Sequence, residues 1–114
     1  MAQILIVEDE ALIAQLLAMY VEDLGHKVIG PAATVGEALA ILNTGMPAFA
    51  ILDCTLGHEE CTPIADALSK ANRPFAFATG HGTDALPVDY KSRPVISKPF
   101  VFEDVERVLS SLAR

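Results

Sequence analysis

Several short apolar runs in this 114-residue chain stop at residues whose side chains could handle a phosphoryl group. The residues at which four of these runs stop are Glu8-Asp9, Asp53, Thr79-Gly80 and Lys98-Pro99. If the runs are parallel strands of one sheet, these side chains emerge at the same edge. Three carboxylates, a hydroxyl and an ammonium group would then share a small pocket. Such a pocket suits a divalent cation, which prefers oxygen ligands, and a phosphoryl group bonded to an aspartate.

Each of these residues also has a plainer interpretation. Asp53 taken alone is a common turn residue, and Asp9 could cap the helix that follows it. A lone Thr79 at a strand end is usually structural, and Lys98 could be a solvated charge. Taken together, these residues favour a site for a cation and a phosphoryl group, because packed carboxylates repel one another unless a cation lies between them. Capping by Asp9 is compatible with metal binding.

The spacing of apolar residues along the chain predicts an α/β fold with a parallel sheet. A capping box at Thr34 and Glu37 predicts the start of the second helix. Thr62 followed by Pro63 predicts the start of the third helix, with Thr62 as its cap. The strands are predicted at residues 3–7, 27–30, 48–52, 75–78 and 94–97.

Two helices carry apolar residues at helical spacing, which predicts their buried faces. The stripe of the first helix, which Gly25 ends, is Leu12, Ile13, Leu16, Leu17, Tyr20, Val21 and Leu24. The stripe of the last helix is Phe102, Val105, Val108, Leu109 and Leu112. Between residues 80 and 93 the chain has little periodicity, so a short or irregular fourth helix is expected, with one turn around residues 84–86.

Length and composition predict a single globular domain over residues 1–114. The chain is 52% hydrophobic and carries a net charge of -7, which argues against binding to nucleic acid or to an anionic membrane surface. No apolar stretch approaches the ~20 residues that span a bilayer. Acidic residues 8–10 interrupt any signal-peptide core, so a cytoplasmic location is expected.

The two cysteines, Cys54 and Cys61, could form a disulfide, act as a redox pair or be inert. In a reducing cytosol inert thiols are expected. Two thiols with no matching second pair make only half of a zinc site, so structural zinc is disfavoured.

The ordered markers named above resemble those of the response-regulator receiver domain of two-component signalling. The resemblance covers nearly the whole chain and includes Lys98-Pro99-Phe100. It implies a flavodoxin-like (βα)5 fold, a doubly wound parallel five-stranded sheet of order 2-1-3-4-5. Residues 74–82, which include Phe77-Ala78-Thr79-Gly80, also resemble a subgroup common in alphaproteobacteria and named for its Phe-Ala-Thr-Gly signature.

The resemblance implies that Asp53 is the phosphoacceptor and that Mg²⁺ is the cofactor. Its protein ligands would be Asp9, Asp53 and the main-chain carbonyl of Thr55, with Glu8 binding directly or through water. Mg²⁺ takes few carboxylates and keeps several waters, which fits this set.

The remaining markers would hold the phosphoryl group. The resemblance implies that the Thr79 hydroxyl donates a hydrogen bond to a phosphoryl oxygen, and that the Lys98 ammonium pairs first with Asp53 and then with those oxygens. It also makes Lys98-Pro99 a candidate cis peptide bond.

One position departs from the family pattern. Many receivers carry Tyr or Phe three residues before the lysine as a rotating switch, and here that residue is Val95. Together with the weak fourth helix, this predicts that activation reorganises the segment after Thr79 instead.

The implied partner is a sensor histidine kinase or a histidine phosphotransfer protein, with a downstream protein as a further partner. The chain is interpreted as a single-domain response regulator and not as a conventional enzyme. Alternatives are a receiver excised from a multidomain regulator or hybrid kinase, and a pseudo-receiver, which should lack site residues. A Mg²⁺-dependent phosphatase with an aspartate nucleophile is disfavoured, because Cys54-Thr55 follows Asp53 where an Asp-x-Asp motif is needed.

Overall fold

Largely apolar stretches of three to six residues form the main strands of the computed structural model, which describes residues 2–80 and 85–113. In chain order the elements are β1 (Gln3–Val7), α1 (Ala11–Asp23), β2 (Lys27–Ala32), α2 (Val35–Thr44), β3 (Phe49–Asp53), β4 (Thr55–Leu56), β5 (Glu59–Glu60), α3 (Thr62–Lys70), β6 (Phe75–Thr79), a 3₁₀ turn (Val88–Tyr90), β7 (Val95–Ser97) and α4 (Phe102–Leu112).

Five of these strands form one parallel sheet of order β2-β1-β3-β6-β7. Because β6 and β7 are the fourth and fifth long strands, this confirms the predicted order 2-1-3-4-5. Val7 of β1 lies opposite Leu52 of β3, and Asp53 lies opposite Ala78 of β6. The carboxyl ends of these three central strands are therefore nearly level, and the residues that follow them meet at one edge.

Alternate residues of each strand point to opposite faces of the sheet, so the protein has two hydrophobic layers. In β1, Ile4 and Ile6 join the layer covered by α1 and α4, whereas Leu5 and Val7 join the layer covered by α2 and α3. All four side chains are buried. Both faces of the central strands are thus covered, which explains why their sequences are apolar runs without alternation.

The starts of three helices agree closely with their sequence signals. The Glu37 amide donates to the Thr34 hydroxyl at 3.1 Å, and the Glu37 carboxylate accepts from the Ala33 amide at 3.1 Å. The predicted cap of α2 is confirmed. Helix α3 begins at Thr62, one residue earlier than expected, because Cys61 takes the capping position. Helix α4 carries Glu103 and Asp104 in its first turn, where their charges complement the helix dipole.

The buried stripe predicted for α1 is partly wrong. Leu12 is 81% exposed and Leu16 is 37% exposed, while Ala14, Leu17 and Val21 face the core. Apolar residues cover more of this helix than the sheet can bury. Only the residues at positions i, i+3 and i+7, which are Ala14, Leu17 and Val21, pack against the sheet, and Leu12 and Leu16 lie outside that face.

Two short strands, β4 and β5, form an antiparallel hairpin that the sequence did not predict. Thr55 pairs with Glu60 and Leu56 pairs with Glu59, and Leu56 is buried. The turn expected around residues 84–86 falls partly outside the described residues. Beyond it, the 3₁₀ turn places Tyr90 against the core. None of the described helices is long and apolar enough to cross a bilayer.

Candidate functional site

Three carboxylates meet at the carboxyl edge of the sheet. Glu8 and Asp9 directly follow β1, and Asp53 ends β3, the neighbouring strand. One carboxylate oxygen from each lies within 4.8 Å of the other two. Glu8 and Asp53 are only 2% and 8% exposed, whereas Asp9 is exposed. The sheet therefore brings together the three acids predicted from the sequence, with two of them largely withdrawn from water.

Lys98 supplies the positive charge among these acids. Its Nζ lies 2.8 Å from Glu8 Oε1 and 3.5 Å from Asp53 Oδ2. The Lys98 amide donates to the Thr79 carbonyl at 2.8 Å, which fixes the residue just beyond β7. The Lys98-Pro99 peptide bond is cis.

The β4–β5 hairpin forms another wall of the site and holds two of the acids by main-chain amides. The Thr55 amide donates to Asp53 Oδ1 at 3.3 Å, and the Gly57 amide donates to Asp9 Oδ2 at 2.9 Å. Gly57 has a φ of 63°, which favours glycine at this tight turn. Sequence reasoning missed the contact of Gly57, because its only signal was a glycine in a loop.

The alternative role of Asp9 as a helix cap is not seen. Glu10 occupies the capping position of α1 and its side chain makes no capping hydrogen bond, while the Glu10 amide donates to Glu8 Oε2 at 3.2 Å. The carboxylate of Asp9 is turned toward the hairpin instead, where it meets Gly57. Its position serves the acidic cluster and not the helix.

The pKa values of Asp53 and Asp9 are shifted in opposite directions. Burial, followed by the hydrogen bond and negative charge of Glu8, raises the pKa of Asp53 from 3.8 to about 7, although Lys98 and the Thr55 amide oppose the rise. Burial acts to raise the pKa of Asp9 as well, but the Gly57 amide and the neighbouring carboxyl groups outweigh it and lower the pKa. A positive charge placed among these groups would favour the ionised form of Asp53.

The site favours the charged form of Lys98, whereas it disfavours the charged form of Asp53. Partial burial of Lys98 acts to lower its pKa, but the hydrogen bond to Glu8 and the charges of Asp53 and Glu8 raise the pKa above the ordinary lysine value. The ammonium form therefore persists through the neutral range, where it can pair with anionic oxygens.

A cavity of about 340 Å³ opens above Asp53. Thr79 is 3% exposed and, like Cys54, lines this cavity. The lining residues of the cavity are Asp9, Glu10, Asp53, Cys54, Thr55, Gly57, Thr79, Gly80 and Lys98. The cavity thus joins the acids, the ammonium group and a hydroxyl around one aspartate, which is an arrangement that can surround a phosphoryl group.

Comparison with known proteins places this arrangement in a family. No protein-family model matches the chain. The phyllosphere-induced regulator PhyR of Methylorubrum extorquens is 36% identical over 113 residues, which cover 95% of this chain and 42% of PhyR. The solution structure of SdrG from Sphingomonas melonis Fr1 is 43% identical and superimposes with a TM-score of 0.89, over 100% of this chain and 98% of SdrG. The chain belongs to the response-regulator receiver family.

A receiver-domain structure from a longer regulator agrees with this assignment. The receiver domain of Erythrobacter litoralis PhyR is 28% identical with a TM-score of 0.87, over 98% of this receiver and 89% of that domain. The receiver spans less than half of the curated PhyR that it matches. The relatives are signalling regulators, which confirms the two-component assignment made from the ordered markers.

The departure noted at Val95 has a structural counterpart in this receiver. Val95 begins β7 and packs partly buried against the layer that contains Tyr90. The 3₁₀ turn adds the ring of Tyr90 to this layer, beside Phe75 and Phe77. Tyr90 stacks edge-on against Phe75, with ring centroids 5.4 Å apart, and its hydroxyl donates to Asp66 of α3.

Proposed function

We propose that this receiver accepts a phosphoryl group on Asp53. The observation that carries the proposal is the position of Asp53 at the end of β3, facing the cavity, with Lys98 and two further carboxylates around it. A carboxylate oxygen of Asp53 attacks the phosphorus atom, and the bond between phosphorus and the donor's imidazole nitrogen breaks. The donor leaves as histidine, and Asp53 becomes an acyl phosphate.

The acidic cluster fits Mg²⁺. Glu8, Asp9 and Asp53 offer carboxylate oxygens within 4.8 Å of one another, while Lys98 is the cation that pairs with two of them. The Thr55 main-chain carbonyl completes the proposed protein ligands, since Thr55 lines the same cavity. Bound Mg²⁺ would neutralise charge on the transferring group. An added divalent cation would also oppose the carboxylate repulsion that raises the pKa of Asp53.

Lys98 and Thr79 are proposed to hold the phosphoryl oxygens. Lys98 already lies 3.5 Å from the Asp53 carboxylate, so its ammonium group can shift its pairing to oxygens bonded there. Thr79 lies at the end of β6, beside β3, and its hydroxyl would donate a hydrogen bond to a phosphoryl oxygen. Gly80 follows it in the cavity wall and leaves room for the main chain to approach.

The proposed donor is a phosphohistidine on a sensor histidine kinase or a histidine phosphotransfer protein. The proposal places the exchange in the cytoplasm, the location expected from the sequence. The proposed output is contact with a downstream protein, either by a receiver acting alone or by one joined to further domains. Hydrolysis of the acyl phosphate by water returns the receiver to its starting state, so we do not class it as a conventional enzyme.

The test is chemical labelling of the purified protein. Incubation with acetyl phosphate and Mg²⁺ should add the mass of one phosphoryl group, and hydroxylamine should remove it. Asp53→Asn should show no adduct, whereas the exposed Asp23→Asn should label normally as a matched control. Undiminished, hydroxylamine-sensitive labelling of Asp53→Asn would exclude Asp53 as the acceptor.

A further inference from the structure

We propose that Cys54 and Cys61 form a redox-sensitive pair, and that a disulfide between them slows phosphoryl acceptance at Asp53. The second half of this proposal rests on the function proposed above for Asp53. The first half concerns the thiols alone and departs from the expectation that both are inert.

The hairpin places the two cysteines opposite one another. Thr55 pairs with Glu60 in the antiparallel ladder, so Cys54 and Cys61 occupy the next opposite positions. The Cys61 amide donates to the Cys54 carbonyl at 3.3 Å, which continues the ladder by one bond. Directly opposite residues of a hydrogen-bonded antiparallel pair have Cα atoms about 5.5 Å apart. Disulfides span about 4.4–6.8 Å between Cα atoms, so the backbone already suits the bond.

The side chains meet as well. Both cysteines are buried in the same hydrophobic layer, directly across the hairpin from one another. Bond formation therefore needs a rotation of side chains and no rearrangement of strands. Neither thiol forms a disulfide in this structure, so the pair is described in its reduced state.

An oxidant can reach one member of the pair. Cys54 is 5% exposed and lines both the cavity above Asp53 and a second cavity of about 230 Å³ beside Leu86 and Pro87. Cys61 is 0% exposed. Each cavity is much larger than the roughly 30 Å³ that a water molecule occupies in the liquid, so a peroxide of comparable size fits. Cys54 is therefore the sulfur that reacts first, and Cys61 is the resolving thiol.

The oxidation balances with a hydroperoxide as the oxidant. The Cys54 sulfur attacks one peroxide oxygen, the O–O bond breaks, and a sulfenic acid and water (for hydrogen peroxide) result. The Cys61 sulfur then attacks the Cys54 sulfur, the S–O bond breaks and a second water leaves. The two thiols lose two electrons and two protons, and the peroxide is reduced.

The bond would act on the site through two contacts. Cys54 directly follows Asp53 and lines the same cavity as Thr79. The hairpin that the bond would lock also carries Gly57, whose amide holds Asp9. A disulfide would therefore restrain the hairpin wall of the cavity, and this wall must adjust when the proposed metal ligands and the phosphoryl group take their positions. A several-fold lower rate of phosphorylation is expected.

The experiment first tests the thiols. The reduced native protein is treated with hydrogen peroxide, its remaining thiols are alkylated, and intact and peptide masses are measured. The expected product has lost two hydrogens, resists alkylation and contains a Cys54–Cys61 linked peptide. Cys61→Ser should form no intramolecular bond, and Asp53→Asn should form it normally. A wild-type protein that keeps two alkylatable thiols, or that oxidises only in denaturant, would overturn the proposal.

The second arm measures initial rates of labelling by acetyl phosphate in the reduced, oxidised and re-reduced protein. The oxidised form should be several-fold slower, and dithiothreitol should restore the rate. The Cys54→Ser/Cys61→Ser double variant should be insensitive to peroxide, which controls for oxidation of methionine. Equal rates with the disulfide in place would refute the coupling. Failure of the proposed phosphoacceptor would appear separately, as persistent labelling of Asp53→Asn.

Discussion

Replacing Asp53 with asparagine should stabilise the metal-free protein above pH 7 and leave its stability nearly unchanged near pH 4. Asparagine is close in shape to a protonated aspartate and removes the negative charge that burial and the nearby Glu8 disfavour. The pKa of Asp53 rises from 3.8 to about 7 on folding. Between those values the unfolded chain releases a proton that the folded protein keeps. Wild-type stability therefore falls as pH rises from about 4 to 7 and then levels off.

The size of the expected stabilisation follows from the difference between the pKa values of Asp53 in the unfolded and folded protein. Each pH unit between the two pKa values is worth about 1.4 kcal/mol, so the upper limit is about 4 kcal/mol. The expected value is smaller, about 1–3 kcal/mol, because the cavity admits water and the variant loses the 3.5 Å contact with Lys98. For a domain of this size, that corresponds to a rise in melting temperature of roughly 4 °C for each kcal/mol.

The assay is urea or thermal unfolding from pH 4 to pH 8.5 in a metal chelator, for wild type, Asp53→Asn and a control. Glu106→Gln suits as the control, because Glu106 is exposed in the middle of α4 and lies outside the acidic cluster. The difference between Asp53→Asn and wild type should grow from near zero to its full value by about pH 8. If Asp53→Asn is equally stabilised at both ends of the range, or is destabilised at pH 8, the charge argument is wrong.

Two further predictions concern the cation and the segment beyond β6. Mg²⁺ at about 100 times its dissociation constant should stabilise the wild type by about 2.7 kcal/mol, and Asp9→Ala should lose most of that gain, as read from melting curves. An unchanged response of Asp9→Ala to Mg²⁺ would remove Asp9 from the ligand set. Beryllofluoride with Mg²⁺ should change amide hydrogen exchange in residues 85–90 more than in α4, because Thr79 precedes that segment and Val95 replaces the usual aromatic switch. Larger changes in α4 than in residues 85–90 would contradict this.

The sheet and the grouping of the acids could be predicted because both depend on strong local signals. An apolar run without alternation marks a strand covered on both faces, and its end is marked by the first acidic or hydroxyl residue. Once the strands are parallel and the first lies beside the third, as the family resemblance implied, Glu8, Asp9 and Asp53 must lie near one another whatever the details of the helices. The register of β1 with β3 shows this, since Val7 and Leu52 lie opposite each other just before the acids.

The face of α1 could not be predicted from apolar spacing alone. Its leucines satisfy two overlapping helical patterns, and only packing against the sheet decides between them. Ala14 takes a core position, because the helix lies close to the strands there, while Leu12 remains 81% exposed. A pattern of hydrophobic residues limits the buried face but does not select it when the apolar residues outnumber the available contacts.

The hairpin after Asp53 was missed for a different reason. Strands of two residues are too short to show any period, and their pairing depends on contacts that are distant in sequence. Gly57 meets Asp9, 48 residues away, and Glu59 accepts a hydrogen bond from the Val35 amide. The contact with Gly57 turns the carboxylate of Asp9 away from the start of α1.

The hairpin also connects features that the sequence presented as separate. Strand ends bring the acids to one edge, but the amides of Thr55 and Gly57 orient two of those acids toward the cavity. The same two-residue ladder brings Cys54 opposite Cys61, one position beyond the phosphoacceptor proposed here. A chemical change at the thiols and a charge change at Asp53 therefore act on one small structural unit. The buried side chains of that unit are those of Cys54, Leu56 and Cys61, so few buried side chains hold the geometry that either change would alter.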